Sequence, residues 1–272
     1  MRYWLVMPAA GAGRRFGGWQ SGGRDSGGSR SAGGPSGERA PKQYAALRGR
    51  TVIEWALAPF LADPRCAGVV VALAAGDKWW PKVAERIPAV TVCQGGAERS
   101  ESVRNALAAL NRRAGQDDWV LVHDAARPCL AGADLSRLLE QAGSHAVGGI
   151  LAQPVADTLK RAERSQSAAA GSASSRAGQD AGNGVALIEQ TVDRTGLWRA
   201  GTPQMFRYAR LLAALEGALA AKRFPTDEAQ ALEWLGEHPL LVEGTATNLK
   251  VTTSDDLAIA ESLLADREAR GK

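Results

Sequence analysis

The sequence predicts an α/β fold, a mostly parallel sheet with helices on both faces. Three observations predict it. Short apolar runs alternate with stretches of helical period. The first apolar run ends in a glycine-rich turn, "PAAGAGRRFGG". A later run, "WVLVH", ends in a carboxylate, Asp124. Such alternation favours parallel strands joined by crossover helices. Ligands of these sheets gather outside the carboxyl ends of the strands.

Strand candidates fall at residues 2–8, 68–74, 89–94, 118–123 and 146–153, with amphipathic helices at 51–62, 77–86, 100–113 and 133–142. The helix at 77–86 holds Pro81, which must then sit in its first turn. Residues 155–162, "VADTLKRA", and 185–194, "VALIEQTVDR", read as the legs of a long hairpin. Its half-polar legs are expected to project from the sheet, and a two-stranded arm is marginal unless it packs on another surface. "LWRAGTPQMF" leads into helices at 207–223 and 227–236. "LLVEG" and "TNLKV" read as short strands. The last helix starts near Thr253, with Asp256 three residues on completing a capping box.

Two segments break the pattern. Residues 17–37 contain nine glycines and five serines, and residues 163–184 are rich in Ser, Ala and Gly. Neither composition buries a core, so both read as flexible surface insertions within a single domain of 272 residues.

A net charge of +4, with Lys and Arg spread along the chain, suits phosphate-bearing substrates and argues against a nucleic-acid partner. No run of 18 apolar residues marks a membrane span, and the N-terminus reads as a strand rather than a signal peptide. Cys66, Cys93 and Cys129 are scattered and odd in number, which suits reduced thiols in a cytoplasmic protein.

The chemistry concentrates in three stretches. In the first, Phe16 occupies the third glycine position of a dinucleotide fingerprint, and no Walker A loop is present. A distant reading as a dinucleotide-dependent oxidoreductase therefore fits poorly. Backbone N–H groups of small residues 9–13 approach phosphate oxygens without an intervening side chain. Arg15 can reach over a triphosphate as a bidentate donor. Lys42 follows Pro41, which biases the chain to an extended approach. Taken alone, Lys42 reads as a solvated surface lysine; with Arg15 it would close a lid over one phosphate site.

In the second stretch, "WVLVHDAARP", Asp124 stands at a strand's carboxyl end. A lone carboxylate there can hold Mg²⁺ that keeps waters and takes its other ligands from phosphates. Arg127 either fixes the turn or neutralises Asp124. Strand alternation turns His123 away from Asp124, so a buried, hydrogen-bonded imidazole is expected. The third stretch is "CQGGAERSESV". Its helix terminus and the Ser102 hydroxyl suit a base or phosphate oxygen, while Ser100 reads as an N-cap.

These stretches are in register with others. "PAAGAGRRF", "PKQY", "GGAERSESV", "VLVHDAARP", "DTLKRA", "TVDRTGLW", "TPQMF", "TDEAQALE" and "NLKVT" occur in one order. In that order the chain resembles the 2-C-methyl-D-erythritol 4-phosphate cytidylyltransferases over nearly its whole length outside the two insertions. The resemblance implies a Rossmann-like nucleotidyltransferase fold with a projecting β-arm, and a homodimer interlocked through that arm at about 154–196. It implies transfer of CMP from CTP to methylerythritol phosphate with Mg²⁺, in isoprenoid precursor synthesis.

By that resemblance Arg15, Lys42, Arg194 and Lys250 are catalytic. Ala9, Ala10, Gly11, Gly96, Ser102, Asp124 and Ala125 surround CTP, with Asp124 on the metal. Thr158, Arg194, Thr202, Thr226 and Lys250 face the sugar phosphate, Thr158 and Arg194 reaching the neighbouring subunit's site. "PTDEAQALEWL" also reads as Thr226 capping a helix with acids in its first turn. Alternatives are a cytidylyltransferase for another polyol phosphate, such as ribitol 5-phosphate, and a nucleotide-binding protein without turnover. The insertions lie between Arg15 and Lys42 and between Thr158 and Arg194. Loop length costs entropy only slowly, so neither need destabilise the fold.

Overall fold

The computed structural model describes residues 1–11, 40–163 and 185–271. Arg15, the segment 17–37 and all but the first residue of 163–184 lie outside the described residues. The chain divides into two compact units, one of Met1–Gln153 with Ala200–Lys272 and one of Pro154–Arg199.

The apolar runs of the first unit become strands β1 (Tyr3–Pro8), β4 (Cys66–Leu73), β5 (Val90–Gln94), β6 (Trp119–Val122) and β7 (Gly148–Pro154). "LLVEG" forms β11 (Leu240–Glu243). A strand that no sequence pattern announced, β10 (Trp198–Arg207), completes a seven-stranded sheet of order β11-β7-β10-β6-β1-β4-β5. Gly201 and Pro203 interrupt its apolar alternation, which hid it. Strands β1, β4, β5 and β6 run parallel, and β10 is antiparallel to β6 with Met205 opposite Leu121. A short hairpin, β2 (Ala46–Leu47) and β3 (Arg50–Thr51), precedes the first helix.

Helices α1 (Val52–Leu61), α3 (Arg99–Ala109), α4 (Gly132–Gly143) and α5 (Tyr208–Ala220) stand where periodicity put them. The helix around Pro81 shrinks to α2 (Trp80–Ala84), because proline is tolerated only in a first turn. Strand alternation sorts the layers. Tyr3, Leu5 and Met7 bury in a cluster with Ile53, Leu57 and Phe60 of α1 and Leu138 and Leu139 of α4. Val6, between them, is outside that cluster although fully buried, and α3 packs on β1 and β4. Both faces are therefore covered.

Three local expectations are corrected. "TNLKV" is not a strand: Val251 N–H bonds the Ala126 carbonyl at 2.8 Å, which pins the segment to the turn after β6 instead of to a ladder. Helix α3 begins after Glu98, whose N–H bonds the Glu101 carboxylate, so Ser100 sits inside the helix and does not cap it. Helix α6 (Glu228–Glu233) is capped by Asp227, which accepts from Gln230 N–H at 3.0 Å, and not by Thr226. The closing helix α7 (Ser254–Ala269) carries the expected Thr253–Asp256 capping box.

Taken by itself, the unit Pro154–Arg199 is an antiparallel pair, β8 (Leu159–Ala162) and β9 (Ile188–Val192). Leu159 pairs with Val192, so Thr158 and Arg194 share one end of the hairpin, both exposed. The apolar Val185, Leu187 and Ile188 are also exposed.

Gly148 opens β7 with φ +112°, where a Cβ would overlap the Met205 carbonyl of β10. Gly148→Ala should cost about 1–3 kcal/mol from the backbone conformation alone. A lower urea midpoint at unchanged slope would register it; an unchanged midpoint would contradict the close approach.

Candidate active site

The sheet places three loops at one edge. Strands β1, β5 and β6 are parallel members of the same sheet, so Ala9–Gly11, Gly95–Gly96 and Asp124–Ala126 all emerge from carboxyl ends. β1 carries β6 on one side and β4 on the other, a switch point of the kind where such sheets bind ligands. The ladder extends into the loops: Ala9 N–H bonds Ala72 O at 2.8 Å, Gly95 N–H bonds Leu73 O at 2.8 Å and His123 N–H bonds Val6 O at 3.0 Å. A Cβ at Gly95 would lie 2.5 Å from Ala10 Cβ and 2.8 Å from Ser102 Oγ, so only glycine admits this approach of two loops.

A cavity of about 190 Å³ lies at this edge. Nine of the residues singled out in the sequence line it: Ala9, Ala10, Gly11, Lys42, Gly96, Ser102, Asp124, Ala125 and Lys250. Gln43, buried beside Lys42, donates to Ala9 O at 2.8 Å, which holds the segment around Lys42 against the end of β1. Lys42 Nζ bonds Val251 O at 3.0 Å. Ser102 Oγ accepts from Gly96 N–H at 3.1 Å. Thr202 and Thr226 are not among the lining residues, and Thr158 and Arg194 belong to the other unit.

Asp124 is the electrostatic centre. Its Oδ1 accepts from Arg99 Nε at 3.2 Å and lies 3.1 Å from Arg99 Nη2; its Oδ2 lies 2.9 Å from Lys250 Nζ and 3.6 Å from Arg127 Nε. Burial alone would push the Asp124 carboxyl up, but the cations of Arg99, Lys250 and Arg127 overcome it and hold it well below the usual carboxylate range. Arg127 serves both expected roles. It faces Asp124, and its Nη1 donates to Asn248 O at 2.7 Å.

Beneath the carboxylate lies a chain of neutral hydrogen bonds. The Arg127 carbonyl can only accept, so His123 Nε2, 3.2 Å away, carries the proton. His123 Nδ1 then accepts from the Thr202 hydroxyl at 3.0 Å, and Thr202 Oγ1 accepts Asp124 N–H at 3.1 Å. Thr202 thus supports Asp124 from below, with His123 fully buried as alternation required.

Sequence reasoning missed Arg99 and Glu228. Glu228, the first residue of α6, is 1% exposed and takes Arg99 Nη1 at 2.5 Å and Nη2 at 3.0 Å. The partners are 129 positions apart, and no local spacing joins them.

Among the described residues no three His, Cys, Asp or Glu side chains gather to hold a metal by themselves. The donor set fits a magnesium-type ion only as one carboxylate, Asp124, completed by water and phosphate oxygens. The concentration of cations around one buried anion suits a polyanionic ligand.

The chain is similar to known proteins of one family along most of its length. Residues 29–266 match the family model for 2-C-methyl-D-erythritol 4-phosphate cytidylyltransferase. The enzyme of that description from Halorhodospira halophila is 46% identical, covering 98% of this chain and 96% of that relative. The relative from Acidithiobacillus ferrooxidans is 44% identical over 99% of each chain. Among solved structures, a 4-diphosphocytidyl-2C-methyl-D-erythritol synthase superposes with a TM-score of 0.72 at 38% identity, covering 97% of this chain and 99% of that one. The Thermus thermophilus cytidylyltransferase gives 0.68 at 29% identity, over 96% and 98%.

Burial lowers the His123 pKa from 6.5 to about 4. Above pH 6.5 the imidazole is neutral in both folded and unfolded chains. As pH falls from there to about 4, only the unfolded chain takes up the proton, so stability drops across that window. The loss attributable to His123 is on the order of 3 kcal/mol. Denaturation midpoints of the protein and of His123→Gln between neutral and acid pH check it: the variant should lose less stability on acidification. Parallel curves would count against a buried neutral imidazole.

Proposed function

This chain belongs to the 2-C-methyl-D-erythritol 4-phosphate cytidylyltransferase family, and from that premise we propose how its residues divide the work. It is a nucleotidyltransferase of the methylerythritol phosphate route to isoprenoids, joining CTP and 2-C-methyl-D-erythritol 4-phosphate. The observation that carries the assignment of roles is the strand-end cavity that gathers small-residue loops, Lys42 and Lys250 around Asp124.

The reaction sets the demands. A phosphate oxygen of the polyol phosphate forms a bond to the α-phosphorus of CTP. The bond to the bridging oxygen breaks, and pyrophosphate leaves with its electron pair. Both reactants are anionic, so the site must supply positive charge around the phosphorus and the leaving group. The main chain of Ala9, Ala10 and Gly11 offers N–H groups unshielded by side chains to the triphosphate. Lys42 and Arg15 supply charge at the reacting phosphorus. Gly96 and Ser102 border the base, and Ala125 leaves room beside Asp124. The attacking monoester is already ionised at neutral pH, so no side chain need remove a proton.

Asp124 would hold Mg²⁺ together with the nucleotide phosphates, and the ion would neutralise charge there. Lys250, bonded to Asp124, would turn to a phosphate of the second substrate. Thr202 acts by holding Asp124, and Thr226 beside α6 borders the sugar-phosphate side.

The arm residues Thr158 and Arg194 serve the neighbouring subunit's site in a homodimer. Exposed Val185, Leu187 and Ile188 support a partner surface there. A cytoplasmic enzyme is the reading; among the described residues no helix is long and apolar enough to cross a membrane.

Pyrophosphate release with CTP and Mg²⁺ should follow methylerythritol phosphate and not ribitol 5-phosphate offered in parallel. Turnover of ribitol 5-phosphate alone would keep the chemistry and overturn the substrate. Lys42→Ala should lower kcat by about 10²–10³-fold with the fold intact. Mixed with Arg194→Ala, it should regain activity through hybrid dimers; no recovery despite subunit exchange would refute a shared site.

A further inference from the structure

Asp124 is held from two unequal sides. Its Oδ1 accepts a hydrogen bond from Arg99 Nε at 3.2 Å and lies 3.1 Å from Arg99 Nη2. Arg99 is itself fixed, because its Nη1 and Nη2 are taken by both oxygens of Glu228. Glu228 cannot drift: Gln204 of β10 donates to Asp227 Oδ2 at 2.9 Å and accepts from Ala229 N–H at 3.0 Å, on either side of it. On the other oxygen, Oδ2, sit Lys250 Nζ at 2.9 Å, on a side chain 42% exposed, and more distantly Arg127 Nε at 3.6 Å. A planar guanidinium bridging two carboxylates is rigid, whereas a lysine ammonium is a movable point charge.

We propose that Arg99 and Glu228 form a positioning pair, which locks Asp124 through Oδ1 and leaves Oδ2 as the oxygen that Lys250 cedes to the divalent cation arriving with the nucleotide. This rests on the nucleotidyltransferase reading of the site. Arg99 lines the cavity with a side chain 27% exposed, while Glu228 is not among the lining residues and acts only through Arg99. The bridge ends on the carboxylate that lines the cavity, so the position of the guanidinium bears on whatever ligand Asp124 holds there. Without Glu228, the guanidinium is free to slide across both oxygens of Asp124 and to compete for the face a cation needs. Glu228 is thus a positioning residue: its effect should reach the metal and spare the base and sugar contacts.

The test uses Mn²⁺ as the probe, bound to the full-length protein with CTP and without any polyol phosphate, and read by electron paramagnetic resonance. Glu228→Gln should weaken Mn²⁺ binding by about 10–100-fold, the usual cost of losing a residue that orients a metal ligand. CTP affinity measured in chelator and the thermal midpoint should both hold, which a merely structural defect would not allow. Arg99→Lys should show the same loss of Mn²⁺ affinity. The double variant should be no worse than either single one, because the two act as a unit. Wild-type Mn²⁺ affinity in Glu228→Gln, or losses that add in full, would overturn the proposal. If Glu228→Gln does not melt cooperatively, Arg99→Lys decides by the same Mn²⁺ measurement. Failure of the protein to turn over either polyol phosphate would remove the substrate assignment and leave this binding comparison standing.

Discussion

One buried negative charge organises this molecule. Asp124 is 7% exposed, and a carboxylate in that position is costly unless cations and donors surround it. Four separate segments therefore converge on it: the start of α3 through Arg99, the turn after β6 through Arg127, β10 through Thr202, and the segment before α7 through Lys250. Glu228 adds the start of α6 at one remove. Burial pushes the Glu228 carboxyl up, against the pull of Arg99, so this second anion is tolerable only because the guanidinium is shared. The same arrangement that makes Asp124 affordable creates a strongly cationic surround for any phosphate that enters.

The parallel half of the sheet supplies the frame for that convergence. Parallel strands put all their carboxyl ends on one edge, so loops that are distant in sequence meet without long excursions. β10 enters antiparallel beside β6 and brings Thr202 under Asp124. An all-parallel arrangement would have presented the other end of that strand. Direction, as much as position, decides which residue supports the carboxylate.

Much of this was legible in sequence, and the reasons differ by residue. Apolar runs and helical periods carry their own evidence, so β1, β4, β6, α1, α3 and α4 could be drawn directly. Asp124 and Lys42 were legible because a carboxylate after an apolar run and a lysine after proline are local signals. β10 was hidden by Gly201 and Pro203. At α3 the N-cap position falls on Glu98, whose N–H is taken by Glu101, and not on Ser100; at α6 Asp227, and not the adjacent Thr226, accepts the free Gln230 N–H. Arg99 and Glu228 were illegible for a deeper reason. Their partnership exists only after α3 and α6 have packed at the same sheet edge, and a long-range ion pair leaves no periodic trace.

The hydrogen bond from Gln43 to Ala9 has an architectural consequence. It joins the point where the chain leaves the sheet edge to the point where it returns, and Gln43 Nε2 also lies 3.5 Å from Gly11 O. Whatever runs between Gly11 and Ala40 starts and finishes at one anchored place. Doubling the length of such an excursion costs only about 0.6 kcal/mol of closure entropy. Lys42 would keep its address throughout. The bond at Gln43 thus fixes where Lys42 meets the end of β1, whatever length of chain separates them.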